Sequence, residues 1–156
     1  MPKPPIFYTD TSVFGGVFDS EFSDPSRDFF DQMVRGVIGV AISPIVIDEL
    51  RKAPDDVIAF FEKLRPQILI LDIDADIYEL RDAYIAAEIV GDRWRADALH
   101  VAAATVGRCQ GIVSWNFKHI VNYRRIPMYN GINMTRGYGQ IAIHTPSEIS
   151  LDEETE

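Results

Sequence analysis

Cysteine is nearly absent: Cys109 is the single one in 156 residues, so no disulfide can close within the chain. That fits a reducing compartment and leaves Cys109 as a small core or near-core residue. Long apolar runs are also missing, and none approaches the ~20 residues needed to cross a bilayer. The segment Met1-Pro2-Lys3-Pro4-Pro5 lacks the apolar stretch of a signal peptide. A cytoplasmic location with no membrane partner is therefore expected. Basic residues are in deficit, with 15 Lys and Arg against 24 Asp and Glu and a net charge of −9. A general binder of nucleic-acid backbones carries a basic stripe, so the charge counts mildly against such a substrate without excluding it. No His and Cys pair has zinc-site spacing. There is no phosphate-binding P-loop, no Gly-x-Ser-x-Gly elbow, no internal repeat and no low-complexity linker.

What remains is an ordinary globular composition, 47 % hydrophobic. The length suits one domain, expected over residues 1–150, that buries roughly two-thirds of its unfolded surface. The acidic tail 151–156, Leu151-Asp152-Glu153-Glu154-Thr155-Glu156, is expected to be disordered. Short apolar runs read as strands at Ile6 to Thr9, Val37 to Ile42, Gln67 to Leu71, Gly111 to Ser114 and Ile141 to His144. Helices are expected between them. One starts at Asp24-Pro25, with Asp24 as N-cap, and ends near Gly36; another starts at Ser43-Pro44. Others run from about Asp55 to Leu64, from Ala75 to Val90 with Gly91 as terminator, and from Trp94 to Gly107. A short one precedes the last strand. Alternating strands and helices with nearly unbroken apolar strands predict an α/β fold. The expected form is a three-layer α/β/α sandwich with a mostly parallel central sheet.

Three acids and one amide stand where strands should end or the following helices begin: Asp10, Glu49, Asp97 and Asn116. In open α/β sheets ligands bind beyond the carboxyl ends of the strands. Asp10 has a bland reading as a helix cap and a functional one as a metal ligand steadied by Ser12 or Thr11. Glu49 shares a face with Ile45, Val46 and Ala53, where a carboxylate is costly unless paired or metal-bound. Its neighbour Asp48, four residues before Lys52, suits a solvated ion pair. Asp97 either answers a helix dipole, with Arg93 in reach, or is carried inward by the small apolar stretch that follows it. Asn116 reads as a turn or helix cap or as a site residue. His100 and His119, each three residues beyond a candidate, are packing residues or partners of the site. Arg93, Arg95, Lys118, Arg124 and Arg125 are candidate phosphate contacts or plain solvated cations.

Four segments carry a resemblance. They are Tyr8-Thr9-Asp10-Thr11-Ser12, Ser43-Pro44 through Ile47-Asp48-Glu49-Leu50, Asp97 through Ala104, and Gly111 through His119. In this order and spacing the chain resembles the PIN-domain family and its VapC-type toxins over roughly residues 6 to 145. The resemblance implies an endoribonuclease dependent on Mg²⁺ or Mn²⁺, with Asp10, Glu49 and Asp97 as acidic triad and metal ligands. It also implies an RNA substrate, a small antitoxin partner and a homodimer. Many members have a fourth acid where Asn116 stands; an amide still orients a water or binds through its oxygen, but supplies no charge. A module that grips RNA or an antitoxin without cutting is the alternative. A phosphatase or receiver-like phospho-acceptor fits poorly: Asp10-Thr11-Ser12 is not an Asp-x-Asp pair, and the receiver's further acids and late lysine are missing.

Overall fold

The computed structural model describes residues 3–150, through which runs a sheet of five strands, all parallel. The strands are β1 (Ile6–Thr9), β2 (Gly39–Ile42), β3 (Leu69–Ile70), β4 (Gly111–Val113) and β5 (Ala142–His144), ordered β3-β2-β1-β4-β5. Seven α-helices connect them: α1 (Thr11–Gly16), α2 (Ser23–Val34), α3 (Pro44–Leu50), α4 (Asp55–Leu64), α5 (Ala75–Ala86), α6 (Arg95–Val106) and α7 (Arg125–Thr135). The tail from Leu151 on lies outside the described residues.

The chain steps from β1 out to β3, then crosses back to β4 and on to β5. Right-handed crossovers in two opposite directions put helices on opposite faces. Accordingly α1 packs with α2, α3 and α4, while α5 packs with α6 and α7, which makes the three-layer α/β/α sandwich. Tyr8, Ala41, Ile42, Ile112 and Val113 are fully buried, as strands covered on both faces require. Residues Ala98 to Thr105 of α6 are buried all round. Their small side chains let α6 approach β1, β4 and α5 closely.

Several helix ends differ from what the local sequence signals predict. The reversal after α2 is a Schellman turn: Gly36 sits at φ 80°, Val37 N–H donates to Gln32 O at 2.9 Å, and Gly36 N–H to Met33 O at 3.0 Å. The same pair of bonds closes α5, but with Glu88 at φ 60° in the glycine position, so α5 stops at Ala86 and not near Gly91. It closes α6 as well, with Arg108 at φ 58°. At the start of α2, Asp24 is a first-turn acid and not the cap; the capping position is Phe22. The six-residue α1 follows β1 directly, and the helix between β4 and β5, expected to be short, has 11 residues.

Because all strands are parallel, the residues just past β1, β2 and β4 share one rim. These are Asp10, Ser43 and Ser114. The order β3-β2-β1-β4-β5 reverses direction at β1, so the switch point lies there, between β1 and β4.

Candidate active site at the carboxyl ends of the strands

Asp10 follows β1 and caps α1, accepting the Ser12 N–H at 3.2 Å. Its carboxylate also accepts the Ser12 hydroxyl at 2.6 Å and, on the other oxygen, the Ser114 hydroxyl at 2.7 Å. Both serines are themselves fixed: Ser12 Oγ accepts the Trp115 N–H at 2.9 Å, and Ser114 Oγ the Asn116 N–H at 2.8 Å. Asp10 is 4 % exposed and forms no salt bridge among the described residues. Burial raises its pKa above the usual aspartate value, against the opposing pull of His100 and the two serines.

Glu49, on α3, is half-buried, while Asp48 is exposed and pairs with Arg51 at 2.6 Å; the expected partner Lys52 is not used. Thr11 Oγ1 donates to Glu49 Oε1, and His100 Nε2 donates to the same oxygen at 3.2 Å. His100 is buried on α6, with Nδ1 2.8 Å from the Tyr8 hydroxyl, which is 2.8 Å from Ser43 Oγ. This line of side chains joins β1, the start of α3 and α6 behind the carboxylate. Despite the desolvation that opposes it, Glu49 is held below its usual pKa by His100 and Thr11. The His100 pKa is raised against its own burial, by the hydrogen bond to Glu49 and by the charges of Asp10, Glu49 and Asp97.

Asp97 sits in the first turn of α6 with a side chain 20 % exposed. Its partner is His119, whose Nδ1 donates to Oδ2 at 2.8 Å; it makes no ion pair with Arg93. Asn116 turns its Oδ1 back to accept the N–H groups of Lys118 at 3.1 Å and His119 at 2.9 Å. Its side chain is thus a turn cap, at the mouth of the site. Glu49, Asp97 and Asn116 line one cleft of about 440 Å³, together with Arg93, Trp94 and Lys118; Asp10 does not line it. A larger cavity, about 590 Å³, lies at the opposite ends of β4 and β5. Its lining includes Arg108, Cys109 and Tyr138 but only one acid, Asp76, so its size does not make it the chemical centre.

Of the cations, Arg95 pairs with Asp92 at 3.5 Å, and Arg125 Nε donates to the Ile89 carbonyl at 2.9 Å. Arg93, Lys118 and Arg124 remain for a ligand. Residue patterns had singled out the four strand-end positions and both histidines. They missed Tyr8, Ser43 and Ser114, whose shared signal is a hydroxyl within or directly beyond an apolar strand.

The donor set fits a hard divalent cation, since Asp10, Glu49 and Asp97 offer only carboxylate oxygens. These acids do not yet converge: among the described residues no three His, Cys, Asp or Glu side chains form a group that could hold a metal ion.

No family model matches the chain, and no curated protein matches it. Solved structures do. The structure of VapBC2 from Rickettsia felis, bound to a DNA fragment from the promoter, aligns with a TM-score of 0.60 at 16 % identity, covering 90 % of this chain and 98 % of that one. A toxin–antitoxin complex from Klebsiella pneumoniae aligns with a TM-score of 0.54 at 19 % identity, covering 76 % and 93 %. At such identities the likeness is one of fold, and the fold is PIN-like, as the resemblance implied.

Proposed function

We propose that the protein is a metal-dependent endoribonuclease acting in the cytoplasm as the toxin of a type II toxin–antitoxin pair. The observation that carries the reading is the placing of Asp10 directly past β1 at the switch point of a parallel sheet, beside a cleft lined by Glu49 and Asp97, each held by a histidine. The fold likeness to toxin–antitoxin complexes supports it.

In this reading Asp10, Glu49 and Asp97 would hold Mg²⁺ or Mn²⁺. When bound, such an ion supplies charge neutralisation at the phosphodiester and acidifies water at neutral pH. The protein's own groups do the rest. Glu49, which lines the cleft beside Asp97, would either share that ion or accept a proton from the attacking water, with Thr11 and His100 fixing its orientation. Asp97 is held in place by His119. Lys118 and Arg93 steady the phosphate at the cleft mouth. Asn116 orders the turn that presents Lys118 and His119. A small antitoxin covering this acidic cleft with a cationic side chain, and a homodimer of the toxin, belong to the same proposal.

The test is cleavage of mixed cellular RNA in Mn²⁺ and in Mg²⁺, with Asp10→Asn prepared beside the parent. Metal-dependent cutting by the parent alone supports the reading. No cutting by folded, antitoxin-free parent favours the second reading, a module that binds RNA or an antitoxin without cutting. What speaks for that second reading is Asn116, a neutral residue whose oxygen is already engaged as a cap.

A further inference from the structure

We propose that Trp94 is a positioning residue that keeps the cleft's own cations off its carboxylates. Its indole holds Arg93 and Lys118, so that Glu49 and Asp97 stay open to a divalent ion. The inference rests on the metal reading of this site and deepens it.

Glu49, Asp97, Arg93 and Lys118 all line the same cleft. A guanidinium or ammonium seated on these acids would form a charge-assisted pair and take the place of a metal. Such pairing is common in this chain: Arg35, Arg51 and Arg95 each bridge to an acid three or four positions away. Arg93 has Asp92 beside it and Asp97 four positions on. It pairs with neither, and Lys118 pairs with no acid among the described residues.

Both cations rest on one ring. The Arg93 guanidinium lies 4.9 Å from the Trp94 ring centre and the Lys118 ammonium 5.4 Å. Tryptophan offers the best aromatic face for a cation, and at an exposed site that contact is as strong as an ion pair. The ring can therefore hold cations that the carboxylates would otherwise attract. Trp94 is itself anchored. Its backbone N–H donates to the Gly91 carbonyl at 2.8 Å, and its ring centre is 4.7 Å from that of buried His119. His119 in turn holds Asp97 through the 2.8 Å bond from Nδ1. One indole thus touches the histidine that orients Asp97 and the two cations that compete for it.

Mn²⁺ binding to the metal-free full chain is measured by titration calorimetry without RNA, so that the two cations have no phosphate to hold. Trp94→Leu keeps apolar bulk at a position 36 % exposed but offers no π face. It should bind Mn²⁺ about tenfold more weakly, the usual cost of losing support behind metal ligands. Trp94→Phe retains a ring and should stay within about threefold of the parent. Adding Arg93→Ala and Lys118→Ala to Trp94→Leu should restore parental affinity, whereas the same two substitutions with Trp94 in place should gain much less. A merely structural role for Trp94 would not be repaired by removing two cations. Unchanged affinity in Trp94→Leu, no recovery, or an equal gain in both backgrounds would overturn the proposal. A crystal structure of metal-free Trp94→Leu supplies the second reading. It should show an Arg93 or Lys118 nitrogen within about 4 Å of a Glu49 or Asp97 oxygen. Both cations still standing clear of the acids would overturn the proposal as well. If the parent binds no Mn²⁺, the metal reading falls, and that crystal structure still decides whether Trp94 holds the cations off the acids.

Discussion

Asp10 places a carboxyl group where the protein interior disfavours a charge. Three hydrogen-bond donors and the nearby imidazole act to keep it ionised, yet burial outweighs them and its pKa lies above normal. A neutral isostere removes the desolvation cost and still offers an oxygen to the serines. Metal-free Asp10→Asn is therefore expected to melt no lower than the parent, and each kcal/mol relieved should raise the midpoint by about 2–4 °C. A scan in EDTA checks this, and a clear fall would mean that Asp10 is needed for folding. Cys109 supplies the pH-dependent case. Burial pushes its thiol up to about 11. Since only the thiolate reacts, about one molecule in a thousand is competent at pH 8. Alkylation followed by intact mass should be slow there and accelerate about tenfold per pH unit up to pH 10. A plateau near pH 9 would contradict the burial argument.

At the scale of elements, the ends of α5 and α6 carry residues that local rules reserve for glycine. Glu88 at φ 60° costs about 1 kcal/mol relative to glycine, because its Cβ crowds the following carbonyl. Glu88→Gly should stabilise the protein by up to that amount, read as a higher urea midpoint at unchanged slope. Gly16 is the opposite case. A Cβ there would stand 2.5 Å from Ser26 Oγ and 2.7 Å from Trp115 Nε1, two atoms joined by a 2.8 Å hydrogen bond. Gly16→Ala should cost about 1–3 kcal/mol and shift Trp115 fluorescence as the indole is displaced from Ser26. Both positions mark where sequence reading stopped. The inner strands were legible because their apolar runs are buried on both faces, and α4 because Asp55 and Pro66 bracket it; the edge strand β3 keeps only Leu69–Ile70 of the expected run, both exposed. The end of α5 was not, since Glu88 gives no turn signal although its left-handed backbone closes the helix with two hydrogen bonds. The acids were legible one by one: Asp10 from its place past β1, Glu49 from its apolar helical face and Asp97 from the first turn of α6. Their partners were less so: His100 reaches Glu49, and His119 reaches Asp97, only across elements joined by the fold.

For the whole molecule, the distribution of charge matters more than its sum. Much of the net −9 is spread over the surface, where divalent ions bind weakly and alike. Asp10, Glu49 and Asp97 differ because Glu49 and Asp97 line one cleft, each held by a histidine, while Asp10 is already desolvated. An ion bound there favours the native state alone, by about 2.7 kcal/mol at a hundred times its dissociation constant. For a chain of this size that is a rise in midpoint of roughly 5–11 °C. Mn²⁺ or Mg²⁺ should therefore raise the midpoint of the parent by several degrees above its value in EDTA. Asp10→Asn should respond much less, although it keeps nearly all the surface acids. Equal shifts in both proteins would assign the effect to diffuse charge and leave the three carboxylates without a metal. A shift in the parent alone would locate the ion at Asp10 by a measurement independent of RNA cleavage.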